Sequence, residues 1–193
     1  MSVSVERKTK ETDISATLNI YGSGKTKIDT GIPFFNHMLD SFARFALFDL
    51  DVKCKADLLV EDHHMVEDTA IVLAEALLKS VPDRKDIERT GYSIIPMDDA
   101  VIMVALDLSR PYFQAKNMIF SKDKFGSLSS ENIMPFFETL ALNSKMTIYI
   151  QKVEGKNDHH IAEACFKAFA CALKAALTKD SRISGVLSTK GVL

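Results

Sequence analysis

The chain has 193 residues, of which 47% are hydrophobic and 26% are charged. This composition excludes the disordered, collagen-like and membrane classes, and a chain of this length can build a core without disulfide or metal staples. The formal net charge of -2 gives no electrostatic reason to expect a nucleic acid or an anionic membrane as a partner.

The cysteines and the N-terminus both indicate a cytoplasmic protein. Cys54, Cys165 and Cys171 form no CxxC motif and lie among apolar residues, which is typical of reduced thiols. The first twelve residues lack the apolar core of a signal peptide, and no stretch approaches the roughly 18 uninterrupted apolar residues of a membrane span. We therefore expect neither secretion nor membrane insertion.

In the first half of the chain the pattern predicts three strands and two helices. Alternating or β-favouring residues predict three strands, over residues 14–20, 25–29 and 50–60. Pro33 suits the first turn of a helix that ends near Phe45. A second helix begins near His63, carries apolar residues at the spacing of one buried face, and is stopped by Pro82.

The second half repeats this arrangement. Strands are predicted over residues 92–95, 100–108, 112–117 and 146–153. Helices are predicted from about Glu131 and over residues 160–177. We find no low-complexity linker between the halves.

An internal repeat explains the similarity of the halves. HHMVEDTAIVLAEALLKSV begins at His63 and HHIAEACFKAFACALKAAL begins at His159, a displacement of 96 residues. IPFF at residues 32–35 and MPFF at residues 134–137 give a second correspondence. We therefore predict an α+β fold of two duplicated half-domains, residues 1–90 and 91–193, that pack as one folding unit.

The five histidines lie in three motifs, and two of these share the pattern HHxxE. On a helix, Glu67 shares a face with His63 or His64, and the second motif repeats this arrangement. Adjacent histidines cannot point the same way, so each motif could supply one imidazole to one metal and its neighbour to a second metal or another subunit. Imidazole and carboxylate together favour Mn, Fe, Co, Ni or Zn over calcium.

A structural interpretation of these residues stands beside the metal-binding one. A single HH pair is more often a hydrogen-bonded helix start than a metal site, but two copies with the same following glutamate favour metal. Asp62 and Asp158 precede the two pairs. They are predicted either as helix N-caps or as hydrogen-bond partners that fix the imidazole tautomers.

With these motifs in place, the sequence resembles the imidazoleglycerol-phosphate dehydratases of histidine biosynthesis over nearly its whole length. The matching segments are TKET (9–12), GIPFFNHMLD (31–40), EDHHMVEDTAI (61–71), IPMDDA (95–100), DLSRPY (107–112), NDHHIAEACFKA (157–168) and STKGVL (188–193). The resemblance implies half-domains with a four-stranded sheet backed by helices, of the ribosomal protein S5 domain 2-like class. It also implies a homo-oligomer of 24 subunits with active sites at subunit interfaces.

The resemblance implies two Mn²⁺ ions per active site. The implied metal ligands are His37, His63, His64, Glu67, His159, His160 and Glu163. Tyr149 stands where the family has a histidine ligand. Three alternatives follow: its phenol oxygen binds the metal, a water molecule takes the position, or the metal binds weakly. Phe45 replaces a second family histidine, and Ser109-Arg110-Pro111 replaces a family Ser-Gly-Arg-Pro stretch.

The implied reaction converts D-erythro-imidazole-glycerol phosphate to imidazole-acetol phosphate through a metal-stabilised imidazolate. Glu11 and Glu67 are the implied catalytic residues; Glu11 is the candidate for proton transfer, and Glu67 both ligates metal and contacts substrate. The implied substrate-binding residues are Glu11, His37, Asp40, Arg89, Arg110, Lys167, Ser188, Thr189 and Lys190.

Two other functions remain as alternatives at this point. A dinuclear metallohydrolase would use the same histidine and glutamate clusters to activate water and would need no imidazole in its substrate. A structural or storage site in an oligomer would need no phosphate donors. Glu11, Arg89, Arg110 and the STK segment count against the storage function, whereas Tyr149 favours it.

Overall fold

Two four-stranded sheets, one from each half of the chain, form the frame of the computed structural model, which describes residues 2–56 and 61–192. The strands are β1 (Val3–Lys8), β2 (Thr12–Asn19), β3 (Thr26–Asp29), β4 (Asp49–Ala56), β5 (Thr90–Met97), β6 (Ala100–Asp107), β7 (Tyr112–Lys116), β8 (Lys124–Phe125), β9 (Leu128–Ser129) and β10 (Thr147–Glu154). The helices are α1 (Pro33–Ala46), α2 (His63–Ser80), α3 (Ile133–Ser144) and α4 (Asp158–Ala176).

The two sheets have the same topology. The strand order is β1-β2-β4-β3 in the first sheet and β5-β6-β10-β7 in the second. In each sheet the last pair, β3 with β4 or β7 with β10, is parallel, and the other pairs are antiparallel. The predicted fold class, an α+β fold of duplicated half-domains with four-stranded sheets backed by helices, is confirmed.

The helices lie between the sheets and join the two halves. α2 packs on β1 and β2, α4 packs on β5 and β6, and the helices contact each other as the pairs α1 with α4 and α2 with α3. The rings of Phe42 and Phe169 stack with centroids 5.6 Å apart, and Phe35 meets Phe136 edge to face at 5.5 Å. Aromatic pairs of this kind add stability beyond their buried area, and they cross from one half to the other.

The predicted elements match the structure except at two places. The sequence analysis missed β1, in which only Val5 is buried. It also missed the β8/β9 hairpin, which lies in residues 117–132, between β7 and α3. We call these residues the insertion, because residues 30–32 alone make the corresponding connection in the first half. Part of the strand predicted over 50–60, residues 57–60, lies outside the described residues.

Asp62 occupies the N-cap position of α2, but the prediction that the side chains of Asp62 and Asp158 cap their helices is wrong. The Asp62 side chain makes no capping hydrogen bond, and α4 is capped by Asn157, which accepts a hydrogen bond from the backbone N–H of His159 at 3.0 Å. Both aspartates instead hold the insertion. Asp62 accepts a hydrogen bond from the Ser129 N–H at 2.6 Å, and Asp158 accepts one from the Ser121 N–H at 2.8 Å.

Within residues 2–56 and 61–192, no helix combines the length and the apolar character that a membrane span requires.

Candidate active site

Two imidazoles and one carboxylate meet where α1 packs on α4. His37 and His159 each place Nε2 at 3.1 Å from Oε2 of Glu163. Glu163 follows His159 by one helical turn and is only 6% exposed. One ligand atom from each residue lies within 4.8 Å of the other two, so one cation can contact all three side chains.

The Glu163 carboxylate is held in its ionised form. Burial acts to raise its pKa, but hydrogen bonds from Lys167 and His37 outweigh burial and place the pKa below its ordinary value. Lys167 donates to Oε1 at 2.7 Å, which leaves Oε2 facing the imidazoles. Imidazole nitrogens with an ionised carboxylate are donors that Mn²⁺ and its neighbours in the first transition series accept. The residues therefore fit the metal that the resemblance implies.

The first HH pair points in two directions, as the sequence predicts for adjacent residues on a helix. The two rings are inclined at 70° with centroids 5.8 Å apart. His63 faces Asn132, with Nδ1 3.2 Å from the amide oxygen, and its Nε2 lies 3.7 Å from Oε2 of Glu67. His64 turns to the opposite side, toward the turn between β1 and β2.

Glu11 lies on that turn, beside His64. Its Oε2 is 3.4 Å from Nδ1 of His64. The turn is shaped by Thr9, whose hydroxyl oxygen accepts hydrogen bonds from the N–H groups of Glu11 and Thr12. Thr12 in turn donates to the buried carboxylate of Asp68 at 2.5 Å. The TKET segment thus places a carboxylate next to a potential metal ligand.

The second HH pair also diverges, with rings inclined at 86°. His160 turns away from Glu163 and contacts Asp99 through Nδ1 at 2.6 Å, while Asp98 lies 3.3 Å from its Nε2. The hydrogen bond from His160 is the largest cause that lowers the pKa of Asp99 well below its ordinary value, and the N–H groups of Lys156 and Asn157 add to it. Asp99 therefore fixes the orientation of His160.

The seven predicted metal ligands consequently form separate groups within one chain. Among the described residues, the group of His37, His159 and Glu163 is the one in which three ligand atoms come this close. The other groups are His63 with Glu67, His64 with Glu11, and His160 with Asp99.

Five of the predicted substrate-binding residues line one cavity. It has a volume of about 1300 Å³ and lies where β6 ends and β10 begins, covered on one side by the C-terminal segment. The predicted residues that line it are Arg89, Arg110, Ser188, Thr189 and Lys190. The three cations and two hydroxyl groups among these predicted residues suit a phosphate group, since phosphate oxygens accept charge-assisted hydrogen bonds.

The cations of the cavity differ in their partners. Arg89 donates two hydrogen bonds to Asp107, at 2.7 and 2.8 Å, and these bonds raise the pKa of Arg89 further. Within the described part of the chain, the guanidinium of Arg110 and the ammonium of Lys190 make no side-chain hydrogen bond or ion pair. They can therefore be directed toward an anion at little cost.

Asp40 and Lys167 lie outside this cavity. Asp40 accepts a hydrogen bond from Arg44 at 2.6 Å and another from the Thr26 hydroxyl; burial acts to raise its pKa, but these bonds lower it overall. Lys167 contacts Glu163, and its ammonium lies 5.0 Å above the ring of Phe45. Both residues border the group of His37, His159 and Glu163, which we call the ligand cluster. Their contact with substrate stays a prediction.

Tyr149 lies on the outer face of the second sheet. It is 46% exposed, and its ring centroid is 5.5 Å from that of Tyr112. Partial burial and the neighbouring Tyr112 raise its pKa, so the phenol is protonated at neutral pH. A protonated phenol is a weaker metal ligand than the imidazole that the sequence resemblance leads us to expect at this place.

Several residues at the site were not singled out from the sequence. Asp99 and Asp107 stand inside the IPMDDA and DLSRPY segments, so the motifs were visible although the roles of their aspartates were not. Asn132 lies in none of the matching sequence segments, so no motif pointed to it. It reaches His63 only because the insertion ends beside α2.

Known proteins of one family resemble this chain over nearly its whole length. A family model described as "Imidazoleglycerol-phosphate dehydratase" matches residues 30–173. A protein of that name from Acetivibrio thermocellus is 50% identical over 98% of this chain and 97% of its own length. One from Campylobacter fetus is 48% identical over 99% of this chain and all of its own. The chain belongs to the imidazoleglycerol-phosphate dehydratase family.

Solved structures of the imidazoleglycerol-phosphate dehydratase family share the fold. The enzyme from Staphylococcus aureus superimposes with a TM-score of 0.84 at 34% identity and covers 93% of this chain and 100% of its own. The enzyme from Pyrococcus furiosus, solved in complex with (S)-C348, gives 0.83 at 37% identity, covering 98% of this chain and 100% of its own. The predicted family and enzyme class, a dehydratase and therefore a carbon–oxygen lyase, are confirmed.

Proposed function

We propose that this enzyme dehydrates D-erythro-imidazole-glycerol phosphate to imidazole-acetol phosphate in histidine biosynthesis. The observation that carries the proposal is the presence, in one chain, of a His-His-Glu cluster and a cation-lined cavity for phosphate. The substrate carries an imidazole at one end and a phosphate at the other. The two sites offer groups of matching chemistry for each end.

The metal sites are proposed to take two Mn²⁺ ions per active site. The proposed ligands are His37, His63, His64, Glu67, His159, His160 and Glu163. When bound, these ions supply Lewis acidity that favours loss of the N–H proton from the substrate's imidazole. The carboxylates keep the imidazole donors in place: Glu163 faces His37 and His159, and Asp99 holds His160.

Side chains of this protein are proposed to carry the protons of an elimination reaction. The hydroxyl group leaves the carbon next to the imidazole and takes up a proton to become water, and a proton is lost from the adjacent carbon. Glu11 is our candidate for carrying one of these protons, since its carboxylate stands at the ligand His64. Glu67 is the second catalytic carboxylate, beside His63. The resulting enol becomes the ketone.

The phosphate is proposed to bind in the cavity between β6, β10 and the C-terminal segment. Arg110 and Lys190 provide charge, Ser188 and Thr189 provide hydroxyl donors, and Arg89 completes the cradle. Binding energy gained there orients the reacting end of the substrate, which is how groups remote from the reacting atoms accelerate a reaction.

We further propose a cytoplasmic homo-oligomer of 24 subunits with active sites at the subunit interfaces. The separation of the ligand groups within one chain supports this, because a second chain would complete each group. The outer face of the second sheet also presents an apolar surface that a neighbour would cover: Tyr92, Ile94, Tyr112 and Tyr149 are all exposed there. Sedimentation analysis tests the assembly, since 24 chains of 21.4 kDa form one large particle.

The test of the function is turnover of imidazole-glycerol phosphate by metal-stripped protein, with and without added Mn²⁺, following the ketone product. We expect the ketone to form only when metal is added. A parallel assay follows release of inorganic phosphate from the same substrate, which a metallohydrolase would produce. If metal binds and the oligomer forms, yet no ketone appears with any divalent ion, the proposed function is wrong and a structural role for the metal is favoured.

A further inference from the structure

Three groups form a hydrogen-bonded chain from the end of β6 to the C-terminal segment. The carboxylate of Asp107 accepts Nε–H of Arg89 at 2.7 Å and Nη2–H at 2.8 Å, a bidentate pair. The remaining nitrogen of Arg89, Nη1, donates to the backbone carbonyl of Leu187 at 2.6 Å. The Arg89 guanidinium thus lies between the sheet and the residues that close the cavity.

Asp107 is well placed to hold an arginine still. It is the last residue of β6, and its backbone is paired with Thr90 of β5 on one side and Thr147 of β10 on the other. The Ser109 hydroxyl donates to its Oδ2 at 2.8 Å. A carboxylate at the end of an interior strand, with its side chain held by Ser109, gives Arg89 one preferred orientation.

The backbone of Arg89 is fixed as well. Its N–H donates to the carbonyl of Ala176 at 2.9 Å, and its carbonyl accepts from the N–H of Leu108 at 3.0 Å. Its φ of 65° lies in the left-handed region, which a residue with a side chain adopts only when its surroundings require it. The side chain is therefore directed into the cavity from a rigid point.

Residues 186–190, which we call the tail, have few other attachments. Ser188 donates to the carbonyl of Val186, and its hydroxyl accepts from the N–H of Lys190, but both bonds lie within the tail. Gly185, just before the tail, is anchored by Asp86, and Gly191, just after it, donates to the carbonyl of Ser188 at 3.1 Å. Across the part of the chain that the structure describes, the bond from Arg89 to Leu187 is the one hydrogen bond that joins the tail itself to residues outside the C-terminal segment.

We propose that Asp107 is a positioning residue for substrate phosphate: it orients Arg89, and Arg89 holds the tail that carries Ser188, Thr189 and Lys190. This rests on the proposed function, in which those residues bind phosphate. Asp107 does not itself touch the phosphate, because two anions repel. Three of the five N–H groups of Arg89 are used by Asp107 and Leu187, and two are left for the ligand.

The substitution Asp107→Asn keeps the shape of the side chain and removes its charge and one of its two acceptors. We expect KM for imidazole-glycerol phosphate to rise at least about tenfold, the size typical of a lost hydrogen bond between charged groups. The change in kcat should be smaller than the change in KM, since the ligand cluster is untouched. Glycerol phosphate, used as a competitive inhibitor, should lose affinity in parallel because it presents the phosphate alone.

Asp49→Asn is the matched control. Asp49 begins β4, as Thr147 begins β10, and its carboxylate holds the corresponding turn of the first sheet by accepting the N–H groups of Ser23 and Lys25 at 2.8 and 3.1 Å. We expect this variant to keep the wild-type KM. A double variant, Asp107→Asn with Arg89→Ala, should have the KM of Arg89→Ala alone, because Asp107 acts only through Arg89.

Hydrogen exchange of residues 186–190 tests the proposal without any turnover. We expect faster exchange and easier proteolysis of the tail in Asp107→Asn and no change in Asp49→Asn. Unchanged tail exchange in Asp107→Asn, or a KM within about twofold of wild type, overturns the positioning role. If the wild-type enzyme makes no ketone, the proposed function fails, and the exchange result still decides whether Asp107 holds the tail.

Discussion

Asp62 and Asp158 stand 96 residues apart at equivalent positions of the repeat, and their carboxylates hold opposite ends of the same insertion. The insertion belongs to the second half alone, yet it reaches the first turn of both helices that carry an HH pair. Asn132, at one end of the insertion, contacts His63. Phe125, in its hairpin, stacks on Phe34 with ring centroids 4.6 Å apart, and the Phe34 ring lies 5.3 Å from the ring of His159. One segment therefore supports both histidine pairs.

This relationship predicts a loss of stability in Asp158→Ala. The carboxylate accepts hydrogen bonds from the N–H groups of Ser121 and Lys122 and from the Ser121 hydroxyl. Hydrogen bonds to a charged group contribute about 1.5–3 kcal/mol each, so we expect the free energy of unfolding to fall by at least about 2 kcal/mol. Urea unfolding at neutral pH measures this. Asp13→Ala is the control, since its ion pair with Lys8 is exposed and contributes at most about 1 kcal/mol.

The pH dependence of that loss has a definite sign. Burial acts to raise the pKa of Asp158, but its hydrogen bonds lower it below the ordinary value. A depressed carboxyl pKa stabilises the fold above the unfolded-state pKa of about 3.9, and the contribution disappears as the pH falls through the folded-state pKa. We therefore expect wild type and Asp158→Ala to converge in stability at acidic pH. A difference that stays constant down to full protonation of the carboxyl would contradict this explanation.

Glu163→Gln is predicted to weaken metal binding directly. Gln keeps the size of the side chain but has no negative charge to offer beside His37 and His159. Loss even of a group that only supports a ligand costs about 10–100-fold in metal affinity, so a ligand itself should cost at least as much. Electron paramagnetic resonance of free Mn²⁺ measures the affinity without an activity assay. Glu138→Gln, on the exposed face of α3, should bind Mn²⁺ as wild type does.

Glu11→Gln separates catalysis from metal binding. We expect kcat to fall by about 10²–10⁴, the range for removal of a general acid or base, while Mn²⁺ content stays at the wild-type level. Glu6→Gln, an exposed glutamate on β1, is the control and should retain full kcat. Reduced metal content in Glu11→Gln with a matching loss of kcat would instead assign Glu11 to the support of His64.

The repeated motifs explain why so much of the fold was predictable. The HHxxE and PFF segments recur in order, and the burial of every second residue in β2 follows its alternating sequence TDISATLN. β1 escaped prediction because VSVERK has one buried side chain, so its strand form depends on pairing with β2. The insertion could not be deduced either, since the aspartates that hold it precede histidines and look like helix caps.

The sequence predicted which residue types form the site better than it predicted which of those residues contact each other. Spacing on a helix brought Glu163 to His159, and the sequence showed that neighbouring histidines must diverge. His37 and Glu163 are 126 residues apart in sequence, and their contact depends on the packing of α1 on α4. Local patterns carry no information about such a crossing. The same holds for Asp107 and Arg89, which meet only because β5 and β6 pair.

The two halves provide a further prediction. We propose that residues 1–90 and 91–193 form one folding unit, because buried aromatic pairs such as Phe42 with Phe169 cross between them. Residues 1–90 expressed alone should lack a cooperative thermal transition, because the exposed faces of α1 and α2 would have no partner. Adding separately expressed residues 91–193 should restore the transition. A fragment that unfolds cooperatively by itself would show two independent domains.

Gly91 tests how closely the second sheet packs on its helix. A Cβ at this position would lie 2.0 Å from the carbonyl oxygen of Ala172 and 2.9 Å from the backbone nitrogen of Ala176, both in α4. These atoms are backbone and cannot rotate away, so Gly91→Ala should lower the free energy of unfolding by about 3 kcal/mol or more. In Gly126→Ala the new methyl group meets nothing within 4 Å, and left-handed φ strain should cost only about 1–2 kcal/mol. Urea unfolding compares the two variants. Equal losses would show that β5 moves away from α4 more easily than the geometry implies.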